Sequence, residues 1–234
     1  MARSKNKTER WVAAAFLLVE AALYAMILTG QMLVYAQYIS VCLCLVFVLF
    51  HLRKANYFIV GGLVCTVIAD WFLVMQGAVD KPPALMAQDR LYAMMAFLVA
   101  QILYAIQLHR RARSRQTLII RLLLVVILEA IAVIVMGGKP DLLVIVSLCY
   151  YANLFVNILS AFRSYRKDWM MPWAMVLFFI CDTFIGLQVA AGAYLAIPEG
   201  GLLYNIIFCA FPIAWACYLP SQVLIALYGR YNRK

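Results

Sequence analysis

The chain consists of long apolar runs separated by short polar segments. Eight runs reach the length of about 20 residues that a helix needs to cross a bilayer. They lie near Trp11–Thr29, Met32–Leu52, Tyr57–Gln76, Leu91–His109, Thr117–Met136, Leu142–Phe162, Met171–Leu195 and Leu202–Tyr228. The period-2 alternation of a membrane barrel is absent from the sequence. Because a helix satisfies its own backbone groups in lipid, the pattern predicts an all-α, polytopic membrane protein with eight transmembrane helices.

Composition supports the membrane assignment. Of 234 residues, 67% are hydrophobic and 13% are charged, and the mean hydropathy is +0.92. A soluble domain is roughly half apolar and a quarter charged. No polar segment is long enough for a soluble domain, so we expect residues 1–234 to form a single transmembrane domain. The first run lacks the small-x-small cleavage site of a signal peptide, and seven more runs follow it. We therefore interpret it as a transmembrane helix rather than a cleaved signal.

The net charge of +10 lies mostly on one side of the predicted bundle. That side comprises Arg3, Lys5, Lys7, Arg10, Arg53, Lys54, Arg110, Arg111, Arg113, Arg115, Arg163, Arg166, Lys167, Arg230, Arg233 and Lys234. The opposite side has Lys81, Arg90 and Lys139, and Arg121 lies within the fifth run, where we expect it to snorkel to the interface. The positive-inside rule predicts an integral, multi-pass protein with both termini cytosolic. We expect its membrane to be a bacterial-type cytoplasmic membrane.

Partners follow from the same charge distribution. Basic loops attract anionic lipid headgroups, so membrane lipid is an expected partner. Nucleic acid is not expected, because the chain has no basic fold or aromatic platform to bind it. The sequence shows no feature of an obligate protein partner.

Four acidic residues lie inside apolar runs, where a carboxylate costs several kcal/mol. They are Glu20, Asp70, Glu129 and Asp182. At about 1.5 Å per residue, all four lie about 14–20 Å from the predicted cytosolic helix ends, near the bilayer midplane. Asp70 and Asp182 are our candidates for a catalytic site, the alternative being structural acids paired with amides or tyrosines. Glu20 and Glu129 are weaker candidates that equally suit helix packing or pore lining.

The acids also mark a possible internal duplication. The pattern D-x-F-x-x-x-Q begins at both Asp70 and Asp182, and the segment around Glu20 is similar to that around Glu129. Four helices per half keep the two halves, about 11–109 and 117–228, in the same orientation, as in parallel repeats. The alternative is a chance likeness among apolar helices.

Polar side chains from other helices reach a similar depth. The candidates for lining a cavity there are Gln101, Tyr104, Tyr150, Asn153, Asn157, Tyr218, Gln222, Glu20 and Glu129. The sixth run carries a polar stripe of Tyr150, Asn153, Asn157 and Ser160, which equally suits hydrogen bonding between helices. Pro212 and Pro220 each remove a backbone donor from helix 8, which would leave carbonyls free to face a cavity.

Several kinds of site are not expected. The only histidines, His51 and His109, lie at helix ends beside basic residues, whereas a catalytic zinc needs three protein ligands. We therefore predict no metal and no cofactor. The sequence has no G-x-S-x-G motif and no Gly-rich phosphate loop. All seven cysteines fall inside predicted spans, so no disulfide is expected.

Four local patterns occur in order along nearly the whole chain. They are Ala69-Asp70-Trp-Phe-Leu-Val-Met75, Phe97-Leu-Val-Ala-Gln-Ile-Leu-Tyr104, Phe178-Phe-Ile-Cys-Asp-Thr-Phe-Ile185 and Tyr218-Leu-Pro-Ser-Gln-Val-Leu-Ile225. Together they resemble the G-D-x-x-L, F-x-x-A-H-x-x-Y, second acid and Y-x-x-x-Q-x-L-I segments of the YhhN-like lysoplasmalogenase family, which are eight-helix membrane proteins. Gln101 stands where that family often has His, and Ala69 replaces its Gly.

The resemblance implies an ether hydrolase that cleaves the vinyl ether bond of lysoplasmalogens into a fatty aldehyde and a glycerophospho-base. Its substrate would be a lysophospholipid with a vinyl ether tail. An aspartic acid can protonate the vinyl carbon and a nearby carboxylate can stabilise the resulting cation, so Asp70 and Asp182 suit the roles of acid and base. Like charges in low dielectric favour one shared proton, and either residue could be the acid.

A different class of function also fits these residues. Parallel repeats, midplane acids and a proline-broken helix are typical of proton-coupled transport, and a lipid-sensing membrane protein without enzymatic activity would carry similar features. A family member that kept the fold and lost its activity is a third possibility.

Overall fold

The computed structural model describes residues 2–30, 33–51, 56–112, 115–164, 169–193, 197–198, 200–209 and 211–231. This part of the chain contains helices and no strand. The α-helices are α1 (Ala2–Leu28), α2 (Leu33–Phe50), α3 (Tyr57–Asp70), α4 (Pro83–Ala112), α5 (Arg115–Val135), α6 (Leu142–Ser164), α7 (Met170–Ala193), α8 (Leu202–Ile207) and α9 (Ile213–Tyr231). The predicted all-α fold class is confirmed.

Six stretches within the described residues are long and apolar enough to cross a membrane. They are Thr8–Leu28, Tyr57–Met75, Pro83–Arg110, Arg115–Val135, Leu142–Ser164 and Met170–Val189. The apolar stretch Val34–Phe50 of α2 is shorter. The protein is therefore an integral, multi-pass membrane protein. The count of eight crossings and the cytosolic placement of both termini stay predictions.

Part of the basis for those predictions lies outside the described residues. This applies to the predicted boundaries at Met32, Leu52 and Leu195. It also applies to Arg53, Lys54, Arg113, Arg166, Lys167, Arg233 and Lys234, and to the side chains of Arg3, Lys5, Lys7 and Arg111.

The helices pack in pairs that correspond between the first and second halves of the chain. Helix α1 packs on α2 as α5 packs on α6, and α2 packs on α3 as α6 packs on α7. Helix α3 packs on α4 as α7 packs on α9. Helices α2 and α9 are in contact, as are their counterparts α6 and α4. The correspondence is incomplete, because the backbone of α9 also approaches α1 and α3, whereas within the described residues that of α4 approaches neither α5 nor α7. The internal repeat stays a prediction.

Small residues bring α3 and α4 close together. A Cβ atom on Gly62 would lie 2.1 Å from Cε1 of Tyr104, and one on Gly61 would lie 3.1 Å from Cδ1 of Leu103. Gly62 therefore makes room for the buried ring of Tyr104, which is fully shielded from solvent. Close helix contact at small residues is a general feature of membrane bundles.

The eighth predicted run, Leu202–Tyr228, is two helices rather than one. Pro212 lies just before α9, and its carbonyl accepts the first helical bond, from the Ala216 N–H at 2.9 Å. Pro220 lies inside α9 and removes the donor to the Ala216 carbonyl. The Tyr24 hydroxyl of α1 donates to that carbonyl at 3.0 Å. The carbonyl freed by Pro220 is thus paired with another helix, and the expectation that it stays free to face a cavity is wrong.

The close contact at Gly62 generates a stability prediction. Gly62→Ala forces the Tyr104 ring to move, and we expect overpacking to lower the free energy of unfolding by about 1–3 kcal/mol. Gly186→Ala is the matched control, because a Cβ on this helical glycine meets nothing within 4 Å. Thermal unfolding of both purified variants in the same detergent measures the effect. Equal midpoints for the two variants would contradict this account of the α3–α4 contact.

Candidate active site

Asp70 lies at a local irregularity of the third apolar run. Helix α3 ends at Asp70, and the chain continues as a π-helical turn over Trp71–Met75. The Gln76 N–H donates to the Trp71 carbonyl five residues back, at 2.9 Å. Such wide turns are rare in proteins overall, but those that occur often lie at functional sites. The turn begins where an acid is buried, since the Asp70 side chain is only 1% exposed.

The Asp70 carboxyl is held by a tyrosine from the other half of the chain. The Tyr218 hydroxyl on α9 donates to Oδ2 of Asp70 at 2.5 Å. Tyr218 is itself 4% exposed, so the hydrogen bond lies within the packed interior. This contact joins the end of α3 to the N-terminal third of α9.

Asp182 has a corresponding partner on a different helix. The Tyr150 hydroxyl of α6 donates to Oδ2 of Asp182 on α7. Tyr150 is 3% exposed, whereas Asp182 is only partly buried. The thiol of Cys181 also lies against the Asp182 carboxyl. Each candidate acid therefore has a phenol donor, but the two donors come from helices that occupy different positions in the bundle.

The two acid–tyrosine pairs belong to one cluster. Asp70 and Asp182 interact electrostatically, and both tyrosines lie within electrostatic range of both acids. The Phe97 ring of α4 connects the pairs, with its centroid 5.9 Å from the Tyr150 ring and 6.4 Å from the Tyr218 ring.

The surroundings of the cluster are aromatic. Phe178 packs 6.0 Å from Phe97 and 5.4 Å from Tyr218, and Trp215 also lies 5.4 Å from Tyr218, all measured between ring centroids. Phe97 and Phe178 are both buried. Two acids in such an apolar setting cannot both be ionised at low cost, so the arrangement favours one protonated and one ionised carboxyl. That combination would place a proton donor and a group that can stabilise a cation in the same cluster.

The polar residues of α4 and α6 form a separate network. The Asn157 amide N–H donates to the Gln101 backbone and side-chain oxygens at 2.9 and 2.8 Å. Asn153 and Asn157 both accept from the Arg121 guanidinium of α5, and none of these residues bonds to either acid. Arg121 thus turns inward, and the expectation that it snorkels to the interface is wrong. The guanidinium N–H groups are bonded to side-chain amide oxygens on α6.

Tyr104 on α4 and Gln222 on α9 are buried, and each has a polar atom without a hydrogen-bond partner in the described part of the chain. Within the described residues, the Tyr104 hydroxyl and Gln222 Oε1 have no hydrogen-bond partner, and neither has Gln101 Nε2. Gln222 Nε2 donates to the Ser221 hydroxyl at 3.3 Å. Neither Tyr104 nor Gln222 is brought to the acids by a hydrogen bond.

Glu20 and Glu129 are each paired with a neighbouring helix instead of the acid cluster. Glu20 accepts from the Ser40 hydroxyl and from the Cys44 thiol at 3.6 Å, both on α2. Glu129 accepts from the Cys149 thiol of α6 at 3.4 Å. These contacts suit helix packing, the structural alternative for both glutamates.

The described residues contain no group of three or more His, Cys, Asp and Glu side chains that could hold a metal ion. All seven cysteines are free. The chemical groups gathered at the cluster are the carboxyls of Asp70 and Asp182, their phenol donors and the thiol of Cys181.

Comparison with known proteins identifies the family. The model of the YhhN family matches residues 31–228, which include both acid–tyrosine pairs and exclude Glu20. The chain belongs to the YhhN family. Membership in the YhhN family is consistent with a lysoplasmalogenase-like function. No match was found among curated proteins or among solved structures.

Sequence reasoning missed some groups that shape the site of this YhhN-family chain. Phe97 and Phe178 begin two of the family-like segments, but nothing in the sequence indicates that their rings pack against the site tyrosines. Cys181 adjoins Asp182 but resembles an ordinary small core residue. Arg121 could have been found, because it is a charge inside a span and the Asn153–Asn157 stripe offers it acceptors.

Proposed function

We propose that this chain is a lysoplasmalogenase-like hydrolase that cleaves the vinyl ether bond of a lysoplasmalogen with Asp70 and Asp182. A tyrosine bond to each acid also fits the structural alternative. The observation that supports catalysis best is that buried Asp70 and partly buried Asp182 belong to one aromatic cluster through Tyr218, Tyr150 and Phe97. Family membership points to the same activity. The substrate is a lysophospholipid with a vinyl ether tail, drawn from the surrounding membrane.

The reaction needs one proton donor and one anion. The protonated carboxyl transfers its proton to the vinyl carbon that is not bonded to oxygen, and the electron pair of the double bond forms the new C–H bond. The remaining carbon becomes an oxocarbenium ion, which the ionised carboxylate stabilises in the water-poor cluster. Water then adds to this carbon, and the carboxylate that stabilised the cation accepts a proton from the water. The hemiacetal collapses to a fatty aldehyde and the free glycerol hydroxyl.

In this mechanism Tyr218 and Tyr150 are positioning residues. Each phenol donates to a carboxyl oxygen and fixes the direction of the other oxygen, which is the one available to the substrate or water. The phenol bond also stabilises the ionised form of whichever acid has lost its proton. Asp182 is the more exposed of the two acids and Asp70 is almost fully buried.

We further propose that the fold is a single domain of eight crossings built as four plus four, with both termini in the cytosol. The matching helix contacts in the two halves support the repeat. The active site departs from that symmetry, because Asp70 of α3 is paired with α9 whereas Asp182 of α7 is paired with α6. Unequal partners would give the two acids different roles.

The aspartates supply the first test. Asp70→Asn and Asp182→Asn each remove a carboxyl without changing its size, and we expect aldehyde release from a lysoplasmalogen to fall at least about 100-fold in both purified variants. Asp80→Asn is the control, because Asp80 is exposed and lies outside the cluster. Full activity in both cluster variants would contradict the proposal.

The tyrosines supply a second test. Tyr150→Phe and Tyr218→Phe each remove one hydrogen bond to an acid, so kcat should fall roughly 10- to 100-fold while KM changes little. Tyr57→Phe is the control, since Tyr57 is 71% exposed. Steady-state aldehyde assays separate kcat from KM. A rise in KM alone would instead assign the tyrosines to substrate binding.

A further inference from the structure

Arg121 is a cation inside a candidate membrane span. It lies six residues from the start of α5, which is about 9 Å along the helix. Its guanidinium is directed toward α6, where Nη1 donates to Asn153 Oδ1 and Nη2 donates to Asn157 Oδ1 at 2.9 Å. A charge at this depth carries a cost of a few kcal/mol, and such residues usually have a function.

The two asparagines hold the guanidinium without neutralising it. The Asn153 amide nitrogen donates to the Cys149 carbonyl at 2.8 Å, and the Asn157 amide nitrogen donates to Gln101. Because each amide nitrogen is committed, each amide oxygen is fixed toward Arg121. Amide oxygens are neutral, so the network orients the cation and leaves its full charge in place.

Arg121 is left able to bind an anion. Among the described residues, no carboxylate lies within ion-pair distance of it. A guanidinium has five N–H donors, and two of them are used by the asparagines. The Gln101 amide nitrogen, which is fully buried beside the same network, also has no hydrogen-bond partner within the described part of the chain.

The position of the network relative to the acids suggests which anion it binds. Tyr150, the partner of Asp182, lies three residues before Asn153 and seven before Asn157 on α6. These spacings are about 5 and 10 Å along one helix face. In a lysoplasmalogen the phosphorus atom and the vinyl ether oxygen are separated by the glycerol backbone, roughly 6 Å when extended. A substrate with its vinyl ether at Asp182 would therefore place its phosphate near Arg121.

We propose that Arg121 binds the headgroup phosphate of the substrate and so determines which way the lysophospholipid enters the site. This inference rests on the proposed function, whose substrate it specifies. Guanidinium and phosphate form bidentate hydrogen bonds, which suits recognition of any phospholipid headgroup irrespective of its base. The tail then extends past the acids, away from the N-terminal end of α5.

The site is placed where a lipid can reach it. Within the described residues α5 packs against α6 and no other helix. Its outer surface exposes large apolar side chains such as Leu122 and Val126. Arg121 itself is only partly buried. A lysophospholipid can therefore approach along the α5–α6 edge from the surrounding bilayer.

The experiment measures binding of lipids that the enzyme cannot cleave. The probes are 1-O-hexadecyl-glycerophosphoethanolamine and the phosphate-free 1-O-hexadecylglycerol, each titrated into purified full-length protein in the same detergent. We expect the wild type to bind the phospholipid more tightly than the alkylglycerol by roughly 10- to 100-fold. Arg121→Gln should lose that preference while keeping its affinity for the alkylglycerol. Arg121→Lys should keep part of it, because lysine retains the charge but not the bidentate geometry.

Two controls make the outcomes decisive. Arg115→Gln removes a charge from an exposed position of the same helix and should bind both probes as the wild type does. Inorganic phosphate at millimolar concentration should not displace the phospholipid from the wild type, since the tail contributes to its affinity. The proposal is overturned if Arg121→Gln keeps the phospholipid preference, if wild type shows no preference, or if inorganic phosphate alone occupies the site.

The proposal and the hydrolase activity can fail separately. If the wild type releases no aldehyde from a lysoplasmalogen but shows the Arg121-dependent preference, the hydrolase proposal fails and the phosphate site stands. If aldehyde is released and Arg121→Gln binds both probes as the wild type does, the phosphate site fails and the hydrolase proposal stands. If Arg121→Gln does not fold, the phospholipid preference of the wild type and its reduction in Arg121→Lys test the proposal instead.

Discussion

The hydrogen bond between a buried carboxyl and a tyrosine hydroxyl is the interaction on which the rest of this structure depends. An acid in an apolar bundle is costly unless it has a partner, and Asp70 and Asp182 each receive a phenol from a different helix. These bonds require α9, which carries Tyr218, to pack near the end of α3. They also require α6, which carries Tyr150, to pack near the middle of α7. The shared ring of Phe97 then brings the two pairs into one cluster. The proposed catalysis uses the same bonds that make the burial of the acids tolerable.

Some polar groups elsewhere in the bundle are satisfied in the same way, with different partners. Glu20 is bonded to α2, and the carbonyl released by Pro220 is bonded to Tyr24. Arg121 differs from these groups, because it is a cation held by neutral amides. The bundle therefore contains an acid cluster and a cation along one face of α6. That spacing suits the separation between the phosphate and the vinyl ether of a lysoplasmalogen, and it is why the proposed hydrolase and the proposed phosphate site belong together.

The helices and the two acids could be predicted from the sequence because their signals are local. Apolar runs of spanning length are visible in the chain, and a charge within such a run is conspicuous. Partners could not be predicted, since many apolar surfaces can pack equally well and the sequence does not say which helices meet. Tyr150 and Tyr218 were candidates for lining a cavity, but their assignment to Asp182 and Asp70 depends on packing. The eighth run was expected to be one helix interrupted by prolines, and the structure divides it just before α9, next to Pro212.

The fate of the transferred proton tests the central claim most directly. Purified protein hydrolyses an unlabelled lysoplasmalogen in D₂O enriched in ¹⁸O, and the aldehyde and the glycerophospho product are analysed by mass spectrometry after immediate trapping. Protonation at carbon followed by water attack predicts one deuterium on carbon 2 of the aldehyde and no ¹⁸O in the glycerophospho product. Incorporation of ¹⁸O into the glycerophospho product would contradict the proposed chemistry. The same contradiction would follow if aldehyde formed no faster with the wild type than with a variant carrying both Asp70→Asn and Asp182→Asn.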